Sequence, residues 1–275
     1  MSETCLFDKV HEAATYIRSQ CDLKPQVGII LGTGLGKFAK QIKIEKEVDY
    51  EQIPHFPRST VQSHKGRLIL GELSGKKIVA MEGRFHFYEG YTLEQVTFPV
   101  RVMKQLGIAT MIVSNAAGGL NPMYEKGDLV VITDHINFMG VNPLIGPNDE
   151  RFGIRFPDMI EPYDQKLVKL TQRVAQKEKI TLREGVYLGV TGPCLETKAE
   201  YRFMRQMGGD LVGMSTIPEV IVGVHESLKI LGLSVATDLC IPETLEPVNI
   251  EEIIKTAETA EPKLNQLVIS VLKEL

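Results

Sequence analysis

The sequence predicts an α/β fold built around a largely buried, mixed or parallel sheet. Short apolar runs of strand type recur along the chain, and helical patterns alternate with several of them. No internal repeat, low-complexity tract or Gly/Ser-rich linker interrupts this order, so residues 1–275 are expected to form a single domain. A chain of 275 residues is long enough to bury a large core.

The elements follow in order. Residues 10–20 carry a helical pattern, and residues 27–31 form a short apolar run ended by Gly32. Residues 67–70 and 77–81 read as strands. Residues 92–106 read as a helix, and Thr92 with Gln95 has capping-box spacing, in which each residue satisfies a backbone N–H of the other. Residues 110–113 and 129–133 are strand-like. Residues 138–162 are rich in proline and glycine and predict a long irregular stretch, of the kind used in function or at interfaces. A helix over 164–177 and a strand over 186–190 come next. The helix expected over 197–207 starts at Thr197 with Glu200, again a capping-box pair. A short strand at 211–212 leads to a helix over 216–231, where Thr216 and Glu219 repeat that spacing. A strand over 233–237 and a helix over 250–275 complete the chain.

Composition excludes several classes of function. Hydrophobic residues at 43% and charged residues at 24% are ordinary for a soluble globular protein. The formal net charge is -4 and there is no long Lys/Arg run, which argues against general nucleic-acid or membrane-surface binding. Cys5, Cys21, Cys194 and Cys240 show neither a CxxC pair nor a disulfide framework and are expected to be reduced, mostly buried thiols of a cytoplasmic protein. The first residues carry charges throughout and lack the apolar core of a signal peptide. No apolar run has the length of a membrane span.

Four segments carry chemistry. In residues 81–91, Arg84, His86 and Tyr88 alternate along an expected extended stretch, so all three would share one face. Arginine grips a phosphate with two hydrogen bonds, histidine adds a donor, and tyrosine offers a flat body with a polar tip. The set reads as an oxyanion site beside an amphipathic ligand, or as a solvated strand edge. The second segment, Gly32-Thr-Gly-Leu-Gly36, follows a strand, where a glycine turn can aim backbone N–H groups at an anion. It matches neither a P-loop, since Phe38 stands where Ser or Thr would follow Lys37, nor the dinucleotide G-x-G-x-x-G spacing. A tight strand-to-helix turn is the other reading. Residues 114–120 form a small-residue loop against which a flat ligand could lie. Residues 213–216 sit at a capped helix start, where Ser215 and free amides could hold an anion.

The segments GTGLG, HKGR at 64–67, EGRFHFYEGY, SNAAGGL, GPNDERFG at 146–153, GPCLETKAE at 192–200 and GMSTIPEV at 213–220 occur in this order. Together they closely resemble the trimeric purine nucleoside phosphorylase family, which includes 5′-methylthioadenosine phosphorylases. The resemblance implies a single-domain fold with a mixed sheet and distorted barrel surrounded by helices. It implies a cytoplasmic homotrimer of purine salvage whose active sites lie near subunit contacts. The implied reaction uses inorganic phosphate to split a purine nucleoside into free base and α-ribose 1-phosphate. No metal and no organic cofactor is implied.

The same resemblance assigns roles. Thr33, Arg84, His86, the Ala116 amide and Ser215 hold phosphate, with His64 on a nearby loop. Tyr88 and Met214 pack on the ribose, and Ala116, Ala117, Gly118 and Val212 line the nucleoside site. Leu195 covers the base at a position often held by Phe, and Glu196 accepts from purine N1–H. Phe156 is the aromatic that a neighbouring subunit lends. His86, Glu196 and Asp238 form the catalytic set, donors and acceptors being placed where charge develops on base and phosphate.

Substrate choice turns on two departures from that family. Asp238 stands where many 6-oxopurine-specific members have Asn, and an ionised Asp accepts from a 6-amino group but cannot donate to N7 or O6. Ile250 falls where many members have a His that bonds the ribose 5′-OH, and it suits a 5′-deoxy or 5′-methylthio group. The readings are therefore a phosphorylase of inosine and guanosine with widened adenosine tolerance, or a methylthioadenosine phosphorylase. A nucleotide-binding regulatory module is the non-enzyme alternative.

Overall fold

The computed structural model describes residues 5–32, 36–58 and 66–275. Among these, nine strands join in one mixed sheet. They are β1 (Val27–Ile30), β2 (Lys43–Asp49), β3 (Arg67–Leu73), β4 (Lys76–Glu82), β5 (Thr110–Gly119), β6 (Leu129–Asn137), β7 (Leu182–Gly189), β8 (Leu211–Gly213) and β9 (Lys229–Leu239). Their order is β2-β3-β4-β1-β5-β8-β7-β6-β9, and β9 also pairs with β5. That last pairing closes β5, β8, β7, β6 and β9 into a barrel, and β1 to β4 extend outward from β5. The fold expectation holds, including the barrel that the resemblance implied.

One consequence of the register positions the site. β1 accompanies β5 only along Thr110–Val113, and β8 takes over on that edge only at Gly118 and Gly119. Between them residues 114–117 pair with β9 on one side and, among the described residues, with no strand on the other. A strand edge left open inside a fold offers backbone N–H and C=O groups to whatever fills the gap.

Helices pack around this sheet: α1 (Leu6–Gln20), α2 (Leu93–Leu106), α3 (Gln165–Lys177), α4 (Lys198–Gln206), α5 (Ile217–His225) and α6 (Ile250–Glu274). In α1 the buried residues Val10, Ala13, Ala14 and Ile17 recur at helical spacing. The capping boxes of α2 at Thr92 and of α4 at Thr197 form as the sequence predicts.

Several expectations need correction. β2 reads KIEKEVD and buries only Val48, so it has no apolar period to betray it, and its charges suit the sheet edge it occupies. The small-residue segment 114–119 is not a loop but the second half of β5. The helix expected to reach residue 231 ends at His225, because Ser227 adopts a left-handed φ of 58° and the apolar residues beyond it enter β9. The third capping box does not form. Thr216 has φ 71° and caps nothing with its side chain, and Glu219 is turned into the interior instead.

Candidate active site

The gap beside β5 is a cavity of about 180 Å³. β5 contributes Asn115, Ala116, Ala117 and Gly118 to its wall, and the segment after β4 contributes Arg84, His86 and Tyr88. The turn from β8 to α5 supplies Val212, Met214 and Ser215, and the end of β9 supplies Thr237 and Asp238. Leu195 and Glu196 close the far end.

One end is built for an anion. Arg84 is 2% exposed, so the solvated-edge reading fails for it. Its Nε donates to Glu219 Oε1 at 3.0 Å, and its Nη1 donates to the open-edge carbonyl of Ser114 at 2.9 Å and to Ser215 Oγ at 3.2 Å. The guanidinium is therefore clamped against residues from β5 and α5. His86 is buried as well, and Glu89 accepts from its backbone N–H and meets its Nδ1 at 2.8 Å, fixing the ring. Tyr88 does not continue an extended strand; residues 87–89 form a 3-10 turn that folds its ring onto His86, stacked at 4.7 Å. The three side chains still reach one cavity, through a turn and not through a period of two. At the α5 end the amides are not all free, since the Ser215 N–H donates to the Tyr187 hydroxyl at 3.4 Å. The turn is tied to β5 by Asn115, whose Nδ2 donates to Thr216 Oγ1 while its Oδ1 accepts from Ser234.

The opposite end is acidic. Glu196 is half-buried, and burial pushes its carboxyl above the ordinary range, with the Tyr201 hydroxyl opposing this by hydrogen bonding. Asp238 accepts at Oδ1 from Thr237 Oγ1 at 3.0 Å and at Oδ2 from Cys240 Sγ at 3.4 Å. Tyr88 and Met214 line the same cavity. Such a cavity can hold an oxyanion and a polar heterocycle at once, with an amphipathic unit bridging them.

Thr33 and His64 lie outside the described residues. Phe156 is 82% exposed and stands away from this cavity, beside a separate depression with His135, Asn142 and Arg155. Ile250 does not line the cavity; it is exposed at the start of α6, and Ile253, nearly one turn further on, reaches the cavity in its place. Asn115, Tyr201, Thr237, Cys240 and Glu219 were not among the expected site residues. Cys240 and Glu219 were visible as a cysteine and a cap residue, but nothing local marks them as partners of Asp238 and Arg84. Cys240 is buried as expected, whereas Cys5 and Cys194 are exposed. Among the described residues no helix is long and apolar enough to cross a membrane, and no cluster of His, Cys, Asp and Glu is arranged for a metal.

The model of the phosphorylase superfamily matches residues 26–273. Purine nucleoside phosphorylase 1 of Bacillus subtilis is 48% identical over 97% of this chain and 98% of its own length. The crystal structure of Schistosoma mansoni purine nucleoside phosphorylase in complex with inosine is similar with a TM-score of 0.94 at 40% identity, over 100% of this chain and 99% of that one. The structure of the Schistosoma mansoni enzyme in complex with adenosine has a TM-score of 0.92 at 40% identity, over 98% and 97% of the two chains.

Proposed function

The chain belongs to the purine nucleoside phosphorylase family of the phosphorylase superfamily, and from that premise we propose that it is a pentosyltransferase cleaving purine nucleosides with inorganic phosphate. The products are the free purine and α-ribose 1-phosphate. The observation that carries this reading is one cavity with a clamped, buried Arg84 at one end and the carboxylates Glu196 and Asp238 at the other.

The chemistry follows from that polarity. The C1′–N9 bond breaks with its electron pair passing to the purine, and C1′ gains positive character. Phosphate, held by Arg84, His86, Ser215 and the Ala116 amide, attacks the opposite face and forms the new C1′–O bond with inversion. Its dianion needs a full shell of donors once water is excluded. Tyr88 and Met214 pack on the ribose. Glu196 accepts from N1–H of a 6-oxopurine, and the purine leaves after taking a proton. Holding both reactants in line removes an entropic part of the barrier. No organic cofactor or metal takes part. Thr33 and His64 complete the phosphate site.

The enzyme acts as a homotrimer in the cytoplasm, in purine recovery. Support comes from the exposed apolar side chains of the 138–162 segment, where Ile145 is 77%, Ile154 68%, Phe156 82% and Ile160 82% exposed. Burying such a patch against a second copy is favourable, and Phe156 then reaches the neighbour's site. A methylthioadenosine reading keeps the support of Asp238 and gains apolar Ile253 in the cavity, but loses Ile250. Phosphate-dependent release of base from inosine, guanosine, adenosine and methylthioadenosine tests the proposal. Base release without phosphate, or none with it, overturns it.

A further inference from the structure

Cys240 was expected to be an ordinary buried thiol. Its surroundings give it more to do. The side chain is 2% exposed and lines the cavity, and its Sγ lies 3.4 Å from Asp238 Oδ2. The second oxygen of Asp238 accepts from Thr237, whose single proton is divided between Asp238 Oδ1 and the Ala117 carbonyl at 3.3 Å. Cys240 is thus the donor committed to Asp238. Both carboxylate oxygens receive protons and neither is set up to offer one. Burial, together with the Asp238 charge, pushes the thiol well above its ordinary range, so the S–H remains a donor.

The thiol is held from two sides. A Cβ at Gly118 would lie 2.5 Å from Cys240 Sγ, so the bare backbone of β5 makes room for it. The Tyr201 hydroxyl from α4 faces both Cys240 and Glu196. The two carboxylates of the base end are therefore joined through Tyr201 and Cys240.

We propose that Cys240 is a positioning residue that sets selectivity at the purine 6-position, by keeping Asp238 oriented as a hydrogen-bond acceptor toward a 6-amino group. This rests on the purine nucleoside reading of the cavity. An acceptor at that position favours a 6-aminopurine and offers nothing to O6 of a 6-oxopurine. Removing the thiol leaves Asp238 with half of the Thr237 proton and free to turn away from that orientation.

The test is a double-mutant cycle on the ratio of kcat/KM for adenosine to that for inosine, at saturating phosphate. Cys240→Ala is expected to lower the ratio about two- to fivefold, the lower part of the range for one hydrogen bond because a thiol is a weak donor. Cys240→Ser, which restores a donor, is expected to recover the ratio. In an Asp238→Asn background Cys240→Ala is expected to leave the ratio where Asp238→Asn put it. If Cys240→Ala fails to fold, Cys240→Val, which fills the space without donating, carries the same comparison. An equal change in both backgrounds, or no change in either while Asp238→Asn alone shifts the ratio, overturns the role of Cys240 and leaves the function standing. No shift from Asp238→Asn itself overturns the role of both residues. Absence of phosphate-dependent turnover in the unmodified enzyme overturns the function and this inference together.

Discussion

Replacing Glu219 by alanine perturbs the buried ion pair behind the anion end. Arg84 and Glu219 have side chains 2% and 3% exposed, with Nη2 and Nε of the arginine each 3.0 Å from Glu219 Oε1. Neither charge keeps its hydration, so each depends on the other. With alanine at 219 the guanidinium loses the Glu219 carboxylate, while the Ser114 carbonyl and Ser215 Oγ among the described residues still accept from it. Breaking a buried pair in this way costs about 3–5 kcal/mol, a large share of a typical total of about 5–15 kcal/mol. At roughly 2–4 °C per kcal/mol the midpoint should fall by roughly 6–20 °C. Phosphate supplies a replacement negative charge, and at a concentration of about 100 Kd it should return about 2.7 kcal/mol. Replacing both partners, Arg84→Met with Glu219→Leu, removes both charges and should recover most of the stability, because a buried pair is seldom more stable than an apolar one of similar volume. That double variant should bind no phosphate and turn nothing over. Thermal and urea unfolding at fixed chain concentration, with and without phosphate, measure each quantity. A loss below about 1 kcal/mol in Glu219→Ala, or a double variant no more stable than the single, would refute the reasoning.

Three further outcomes are expected. Glu196 makes its strong, charge-assisted hydrogen bond to N1–H when ionised, and its carboxyl is raised by burial, so inosine cleavage should fall as pH drops through a value above the ordinary carboxylate of about 4.3, and Glu196→Gln should abolish that acid limb in kcat/KM profiles. Gly118→Ala places a Cβ 2.5 Å from Cys240 Sγ and 3.3 Å from Val212, so overpacking should cost about 1–3 kcal/mol in unfolding experiments and raise the KM for nucleoside more than that for phosphate. Phe156→Ala should change unfolding of the single chain by less than about 0.5 kcal/mol, since the side chain is 82% exposed, yet lower kcat/KM; unchanged kinetics would remove Phe156 from any site.

Local chemistry was legible in the sequence alone. The caps at Thr92 and Thr197 act between residues three apart, and the helical stripe of α1 needs only its own period. The ordered motifs also placed Arg84, His86, Tyr88, Glu196, Ser215 and Asp238 in one site, and one cavity does gather them. What tertiary structure decided is who partners whom. Thr216 and Glu219 have the spacing of a box, but Glu219 serves Arg84, 135 positions away. Residues 114–119 read as a loop because they are small, and only the handover from β1 to β8 makes them a strand with an open edge. The helix expected to run on after His225 stops there because Ser227 takes a left-handed backbone angle that no side-chain period encodes. Tyr201 and Cys240 lie on separate elements, and they reach Glu196 and Asp238 because α4 and β9 converge on the acidic end of the cavity. A side-chain period is a property of one element; a hydrogen bond across a closed barrel exists only once the barrel has closed.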